Sequence, residues 1–368
     1  MVDRRDSGLA GRLVPPQHLA GLSPAERDAW VVAEGQPKMR GRQLAQHYFA
    51  HLTADQAAMT DLPAASRSQL VQLFLPQLLQ VHRQQRCDQG HTVKTHYKLF
   101  DGAAIETVIM AYPKRTTVCI SSQAGCAIGC PFCATGQMGL VRNLSAGEIV
   151  DQVHQAAALI QQGGLPKTAH RRLSNVAVLG MGEPLANYKP LVTALRNINA
   201  EPPDGLGISA RKVTVSTCGL VPGIERLGGE GLPVRLALSL HAPDNALRNQ
   251  LVPINTKYPV ERVIEAVHGY FLATGRRVSI EYALISGVND QVWRADMLAQ
   301  KLGQFGTHWV HVNPIELNPV DNSQWTASKP AVQERFLAAL AATGIAVSLR
   351  ATRGQQIDGA CGQLAAKA

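Results

Sequence analysis

From about residue 115 onward, short β-branched runs alternate with longer amphipathic stretches. TTVCI (116–120), SNVAVLG (174–180), KVTVS (212–216), VRLALSL (234–240), VSIEYAL (278–284) and WVHVNPI (309–315) predict strands, and IAVSLR near the end predicts one more. Between them, AGEIVDQVHQAAALIQQ, PVERVIEAVHGYFLA, ADMLAQKLGQF and AVQERFLAALAAT place apolar residues at helical spacing. Repeated βα units imply a parallel sheet, and their number suggests an α/β fold with a partial TIM-like (β/α)6 barrel over residues 116–350. A doubly wound sheet fits the pattern less well.

Ahead of that region the texture is different. LSPAERDAWVVAEG, RGRQLAQHYFAHL and PAASRSQLVQLFL read as helices, with Ser23 and Glu26 spaced as a capping box, so residues 1–90 are expected to form a small helical domain. A polar strand region, HTVKTHYKLF and IETVIMAY, connects it to the barrel over 91–115, and residues 351–368 form a C-terminal loop. The unusual residues cluster by position along the strands. A three-cysteine loop follows the first barrel strand, GMGEP the second, STCG the third, SLHAP the fourth, ISGVND the fifth and ELNP the sixth. The carboxyl ends of barrel strands form the active face, so these motifs are expected to meet in one site.

Composition narrows the class. The chain has 368 residues, 45% of them hydrophobic, enough for one large core and a small extra domain. The start, MVDRRDSGLAGRLVPP, has no signal-peptide apolar region and no stretch is long enough to span a bilayer, so a cytoplasmic address without membrane association is expected. A formal charge of +9 favours a polyanionic partner. Lys38, Arg40 and Arg42, then Arg83, Arg86, Lys94 and Lys98 with His82, His91, His96 and Tyr97 among them, read as a phosphate-facing surface in the amino-terminal part. Seven cysteines are a poor basis for a disulfide framework and a better one for metal or redox use.

Cys126, Cys130 and Cys133 form a CxxxCxxC triplet in CAIGCPFC. Four thiolates ordinarily hold a [4Fe-4S] cluster, so three leave one iron open to another ligand, an arrangement that resembles the signature of radical S-adenosylmethionine (SAM) enzymes. Structural zinc wants a closed fourth ligand, for which only the distant His241 or Cys119 could be recruited. In GMGEP, two glycines allow close backbone approach and Glu183 could meet a ligand's ammonium group, although a plain βα turn reads the same way. Cys361 lies in a glycine-bracketed loop suited to thiol chemistry. By position alone, Cys119 is a small core residue, His241 a structural histidine, and Cys87 and Cys218 carry no function.

The segments SSQAGCAIGCPFCATG, GMGEPLANY, STCGLVPGI, SLHAPDNALRNQLVPIN and RGQQIDGACGQL together resemble the RlmN family of radical SAM RNA methyltransferases, adenine carbon-2 methylators related to the Cfr enzymes. The resemblance spans roughly residues 90–365. It implies one [4Fe-4S] cluster per chain on Cys126, Cys130 and Cys133, and SAM contacts from Gly182, Glu183, Ser216, Ser239, Leu240, His241 and Asn318. It also implies that Cys361 carries the methyl group, that Cys119 closes a transient disulfide with it, and that Glu106 accepts a proton, although an acid in a strand can equally face solvent. The implied partners are 23S ribosomal RNA in the peptidyl-transferase region, the tRNA adenosine 3′ to the anticodon, and an electron donor of unknown identity, the enzyme acting as a monomer. Carbon 2 of adenine is too electron-poor to attack a methyl donor directly, which is why a radical route through S-methylcysteine suits it. A Cfr-like carbon-8 methylator is the nearest alternative, and a non-catalytic zinc RNA-binding protein a more distant one.

Overall fold

The computed structural model describes residues 14–321, 323–350 and 352–365; the first 13 residues of the expected helical domain and the last three of the C-terminal loop lie outside the described residues. Three helices come first: α1 (Pro24–Ala33), α2 (Lys38–Ala45) and α3 (Arg67–Phe74). The capping box opens α1 as expected, with Ser23 Oγ accepting from the Glu26 amide at 3.4 Å and Glu26 Oε2 accepting from the Ser23 amide at 2.8 Å. Val31, Leu44, Phe49, Leu70 and Phe74 turn inward and share the main core with the sheet.

The segment before residue 90 is not purely helical. β1 (Leu79–Cys87) pairs antiparallel with β2 (Thr92–Leu99), β2 with β3 (Ala104–Tyr112), and β3 with β4 (Arg115–Cys119). The chain then makes a small ribbon, β5 (Gln123–Gly125) and β6 (Leu140–Asn143), around α4 (Ala134–Met138), before α5 (Ala146–Gln161). The remaining elements are β7 (Asn175–Val178), α6 (Tyr188–Asn199), β8 (Val213–Thr217), α7 (Val221–Gly228), β9 (Arg235–Ser239), α8 (Asn245–Leu251), α9 (Val260–Thr274), β10 (Val278–Leu284), α10 (Val292–Gly303), β11 (Val310–Glu316), α11 (Pro330–Ala342) and β12 (Ala346–Val347).

All strands but β5 and β6 join one ten-stranded sheet in the order β1-β2-β3-β4-β7-β8-β9-β10-β11-β12, with every pairing from β4 to β12 parallel. The six expected barrel strands are therefore β4 and β7 to β11, in chain order. The three antiparallel strands extend the first edge of this sheet, so residues 91–115 are part of the barrel wall rather than a connector. Parallel strands covered on both faces bury nearly every side chain, as β10 does with Ile280, Tyr282 and Leu284.

The expected phosphate-facing cluster divides. Arg83 and Lys98 are exposed, but Lys94, His96 and Tyr97 are buried in β2, and Lys94 Nζ lies 3.1 Å from Glu106 Oε1. Among the described residues no helix is long and apolar enough to cross a membrane.

Candidate active site

A cavity of about 480 Å³ opens at the carboxyl ends of the parallel strands, a size typical of cofactor sites. Cys126, Cys130 and Cys133 line it, as do Gly182, Glu183, Ser216, Ser239, His241 and Asn318, and so do Cys119 and Cys361. Residues separated by more than two hundred positions thus share one wall, brought together by the ends of several strands and by the C-terminal tail.

Local geometry fixes these groups. Gly136 in α4 packs so closely on the cysteine loop that a Cβ there would fall 2.6 Å from the Cys130 carbonyl oxygen, so the loop and helix fold as one piece. Gly182 adopts φ +101°, and a Cβ would fall 2.5 Å from the Gln123 side chain. That close approach lets Gln123 Oε1 accept from the Glu183 amide at 2.8 Å. Glu183 itself is buried, with its carboxylate accepting from the amides of Leu185 (3.0 Å) and Cys218 (2.7 Å), while burial pushes its pKa up. The oxygens of Ser216 and Ser239 lie 3.3 Å apart across β8 and β9.

His241 is an uncommon non-glycine residue at φ +62°. Its Nδ1 accepts from the Ala283 amide at 3.0 Å, which leaves the ring proton on Nε2, and burial lowers its pKa to about 3. The Asn289 amide, from ISGVND, donates to the carbonyls of His241 (2.8 Å) and Ala283 (2.7 Å). That motif therefore supports the cavity wall from behind rather than lining it. Two expected site residues are likewise absent from the wall. The Leu240 side chain is fully buried in the core. Glu106 is held by Lys94 on one oxygen and accepts from the Ala365 amide at 3.1 Å on the other.

The tail carrying Cys361 is tied down at several points. Asn318 donates to the Cys361 carbonyl (3.0 Å), Ala134 N–H to that of Gly362 (2.8 Å), Thr135 to that of Leu364 (2.5 Å), and Gln363 donates to the Pro319 carbonyl (3.0 Å).

Three site residues had drawn no role from sequence. Cys218 lines the cavity with its thiol toward Cys130, a hydrogen bond that raises its pKa. Arg248, in the strand-four motif segment, is fully buried and donates to the carbonyls of Leu240 (3.0 Å) and Cys218 (2.7 Å) and to Asn255 Oδ1 (2.8 Å), bolting the ends of β8 and β9 together. Arg350 follows β12, lines the cavity, and lies 3.5 Å from Glu281 Oε2. Its guanidinium is held firmly in the charged form, chiefly by the Cys361 sulfur, with Glu281 and Cys119 adding to it. A single arginine after a short strand carries no sequence pattern that could have marked it.

The walls suit both groups that the motifs imply. Burial pushes the Cys126 thiol up to about 12 and raises Cys133 as well, so thiolates there need an adjacent positive charge of the kind a metal supplies. Among the described residues no three His, Cys, Asp or Glu side chains converge on a single ion. Asn318 Oδ1 is buried with no partner, an acceptor left for a ligand's hydroxyl or amino group.

Residues 120–298 match the radical SAM superfamily. The chain is 53% identical over 358 residues to a protein of Bifidobacterium longum named "Probable dual-specificity RNA methyltransferase RlmN", covering 97% of this chain and 92% of that one. A Kocuria rhizophila protein of the same name is 55% identical over 361 residues, covering 98% and 94%. The crystal structure of a radical SAM methyltransferase from Sphaerobacter thermophilus superposes with a TM-score of 0.90 at 44% identity, covering 96% of this chain and all of that one.

Proposed function

The chain belongs to the RlmN family of radical SAM RNA methyltransferases, and from that premise we propose that it methylates carbon 2 of adenine through a methyl group carried on Cys361. The reading includes two RNA targets, 23S ribosomal RNA in the peptidyl-transferase region and the tRNA adenosine 3′ to the anticodon, reached in the cytoplasm. Cys126, Cys130 and Cys133 would hold the [4Fe-4S] cluster, with Gly182, Glu183, Ser216, Ser239, His241 and Asn318 around SAM. When bound, these two groups supply a methyl donor and one-electron hydrogen abstraction.

The chain's own part is thiol chemistry. The Cys361 sulfur accepts the methyl group, a polar substitution for which a thiolate is well suited. Once that carbon is bonded to the base and the odd electron has returned to its source, carbon 2 loses its proton, the Cys119 thiolate attacks the Cys361 sulfur and breaks its bond to the methylene carbon, and that carbon takes up a proton to become the methyl group of the released adenine. A Cys119–Cys361 disulfide remains, and an external thiol must reduce it. Burial pushes Cys119 up to about 12, and the charge of Arg350, which also lines the cavity, offsets part of this by favouring the Cys119 thiolate. The observation that carries the reading is the presence of Cys119 and Cys361 on one cavity wall with the three-cysteine loop.

Mass analysis of RNA from cells with and without the gene tests it. A methyl group on carbon 2 that disappears with the gene is the expected result; a methyl on carbon 8, or no difference, refutes the assignment. Cys361→Ala is expected to abolish transfer while leaving cluster assembly intact.

A further inference from the structure

At the mouth of the cavity the Arg115 guanidinium lies 4.4 Å from the centre of the Tyr112 ring, and the Arg353 guanidinium lies 4.4 Å from the same ring. All three residues line the cavity, Arg115 exposed and the other two half-buried. Stacking on an aromatic ring fixes a guanidinium's plane but uses none of its five N–H donors. Arginines elsewhere in the fold spend those donors: Arg142 on Asp101 and Glu148, Arg248 on three carbonyls and Asn255. Among the described residues the Arg115 and Arg353 side chains have neither a carboxylate partner nor a hydrogen bond.

The surroundings are also cationic. The Tyr112 carbonyl accepts from the His170 amide at 3.1 Å, and Thr116 donates to the His170 carbonyl at 2.7 Å. These bonds fasten the exposed Arg171 and Arg172 next to the stack, and Lys114 is exposed beside it. Of the acids in the cavity wall, Glu183 and Glu281 are already hydrogen-bonded, which leaves Glu316 exposed.

We propose that Arg115 and Arg353, braced on Tyr112, form a phosphate clamp that holds the RNA strand where its target base enters the cavity. The proposal rests on RNA being the substrate. Oriented forks with free donors match phosphate oxygens. A strand surrendering one unstacked base to a pocket presents its flanking phosphates at the pocket rim. Arg353 sits on the same tail as Cys361, so grip on the strand and placement of the methyl carrier are set by one segment.

The test measures binding of a short fluorescein-labelled single-stranded RNA to the full chain by anisotropy across a salt series. Each phosphate contact to a single strand adds about 0.7 to the slope of log Kd against log salt. R115Q and R353Q are each expected to lower the slope by about that amount, and the double variant by about twice it. Tyr112→Phe keeps the ring and should bind like wild type, whereas Tyr112→Leu should resemble the double variant. A double variant with an unchanged slope overturns the clamp, and a lowered melting temperature with an unchanged slope reduces the stack to a tether for the tail. If the slopes fall but the wild-type enzyme methylates no RNA, the methyltransferase reading fails and the clamp stands; wild-type methylation with unchanged slopes is the reverse.

Discussion

Glu106→Gln separates a tethering role from a chemical one. Lys94 and Glu106 are diagonal neighbours across β2 and β3, since Lys94 faces Val108 and Glu106 faces His96 in the register. Their side chains are 8% and 6% exposed, and apart from Glu106 the Lys94 ammonium has only the Asp358 carbonyl, at 3.4 Å. Removing one charge of a buried pair costs about 3–5 kcal/mol because the other is left uncompensated. Unfolding entropy of about 2.1 cal/mol/K per residue, summed over 368 residues, is about 0.8 kcal/mol/K, so the loss lowers Tm by roughly 4–6 °C. Lys94→Met should cost a similar amount. The double variant Lys94→Met/Glu106→Gln removes both charges and should recover most of the loss. Its Gln side chain can still accept from Ala365, keeping the tail docked. Thermal melts of the four proteins give the coupling, and an RNA methylation assay on the double variant decides the role. Activity returning with stability makes Glu106 a tail anchor; a stable but inactive double variant makes its carboxylate the proton acceptor. A Glu106→Gln melting point within about 1 °C of wild type would refute the energetic reasoning.

Gly182→Ala forces a Cβ into Gln123 at a φ that side chains rarely adopt, so it should cost about 1–3 kcal/mol and weaken SAM binding, read by melting and by calorimetry. Arg248→Met takes a donor from three carbonyls and the Asn255 side chain in the core, of which the Leu240 carbonyl keeps its bond from the Ala242 amide; a urea midpoint lowered by the equivalent of roughly 3–5 kcal/mol is expected, and a near-neutral effect contradicts the bolt. His18 and His154 are buried around Tyr48 and Asp151, near Arg27, and burial lowers both to about 4. The unfolded chain gains a proton near pH 6.5 that the folded one refuses, so their stability contribution is complete above 6.5 and lost as pH falls toward 4; the raised Asp151 opposes part of this loss. His154→Phe keeps the stack on Tyr48 and should lose about 2 kcal/mol less than wild type between pH 7 and 4.5 in urea titrations. Equal losses would show that His154 is not a source of the acid sensitivity. Arg350→Met removes a cation that favours the Cys119 thiolate and should slow iodoacetamide labelling of Cys119, followed by mass spectrometry, with Arg350→Lys intermediate; an unchanged rate removes Arg350 from thiol activation.

The barrel was legible because parallel strands covered on both faces carry continuous apolar runs, and their order in the sheet repeats their order in the chain. The cavity was legible for the same reason: motifs placed at strand ends must converge. β1 escaped because LQVHRQQRC lies at the sheet's edge, where most of its side chains meet solvent and no apolar alternation develops. β2 misled in the opposite direction. Its polar residues suggest an open face, but Val93 and Tyr97 enter the core while Lys94 turns toward the tail around Asp358, a covering contributed from 264 residues away. Arg248 and Arg350 act through carbonyls and thiols supplied by other strands, and no spacing in one segment records such partners. Ser239 and His241 reach the cavity from the same motif, while the Leu240 side chain packs into the core.

The bonds from Ala134 and Thr135 to the tail begin immediately after Cys133. Whatever steadies the cysteine loop therefore also steadies the tail through Gly362 and Leu364. On the proposed reading, the segment that positions the methyl carrier is fastened to the loop that would hold the cluster, so both halves of the chemistry are placed by one set of bonds.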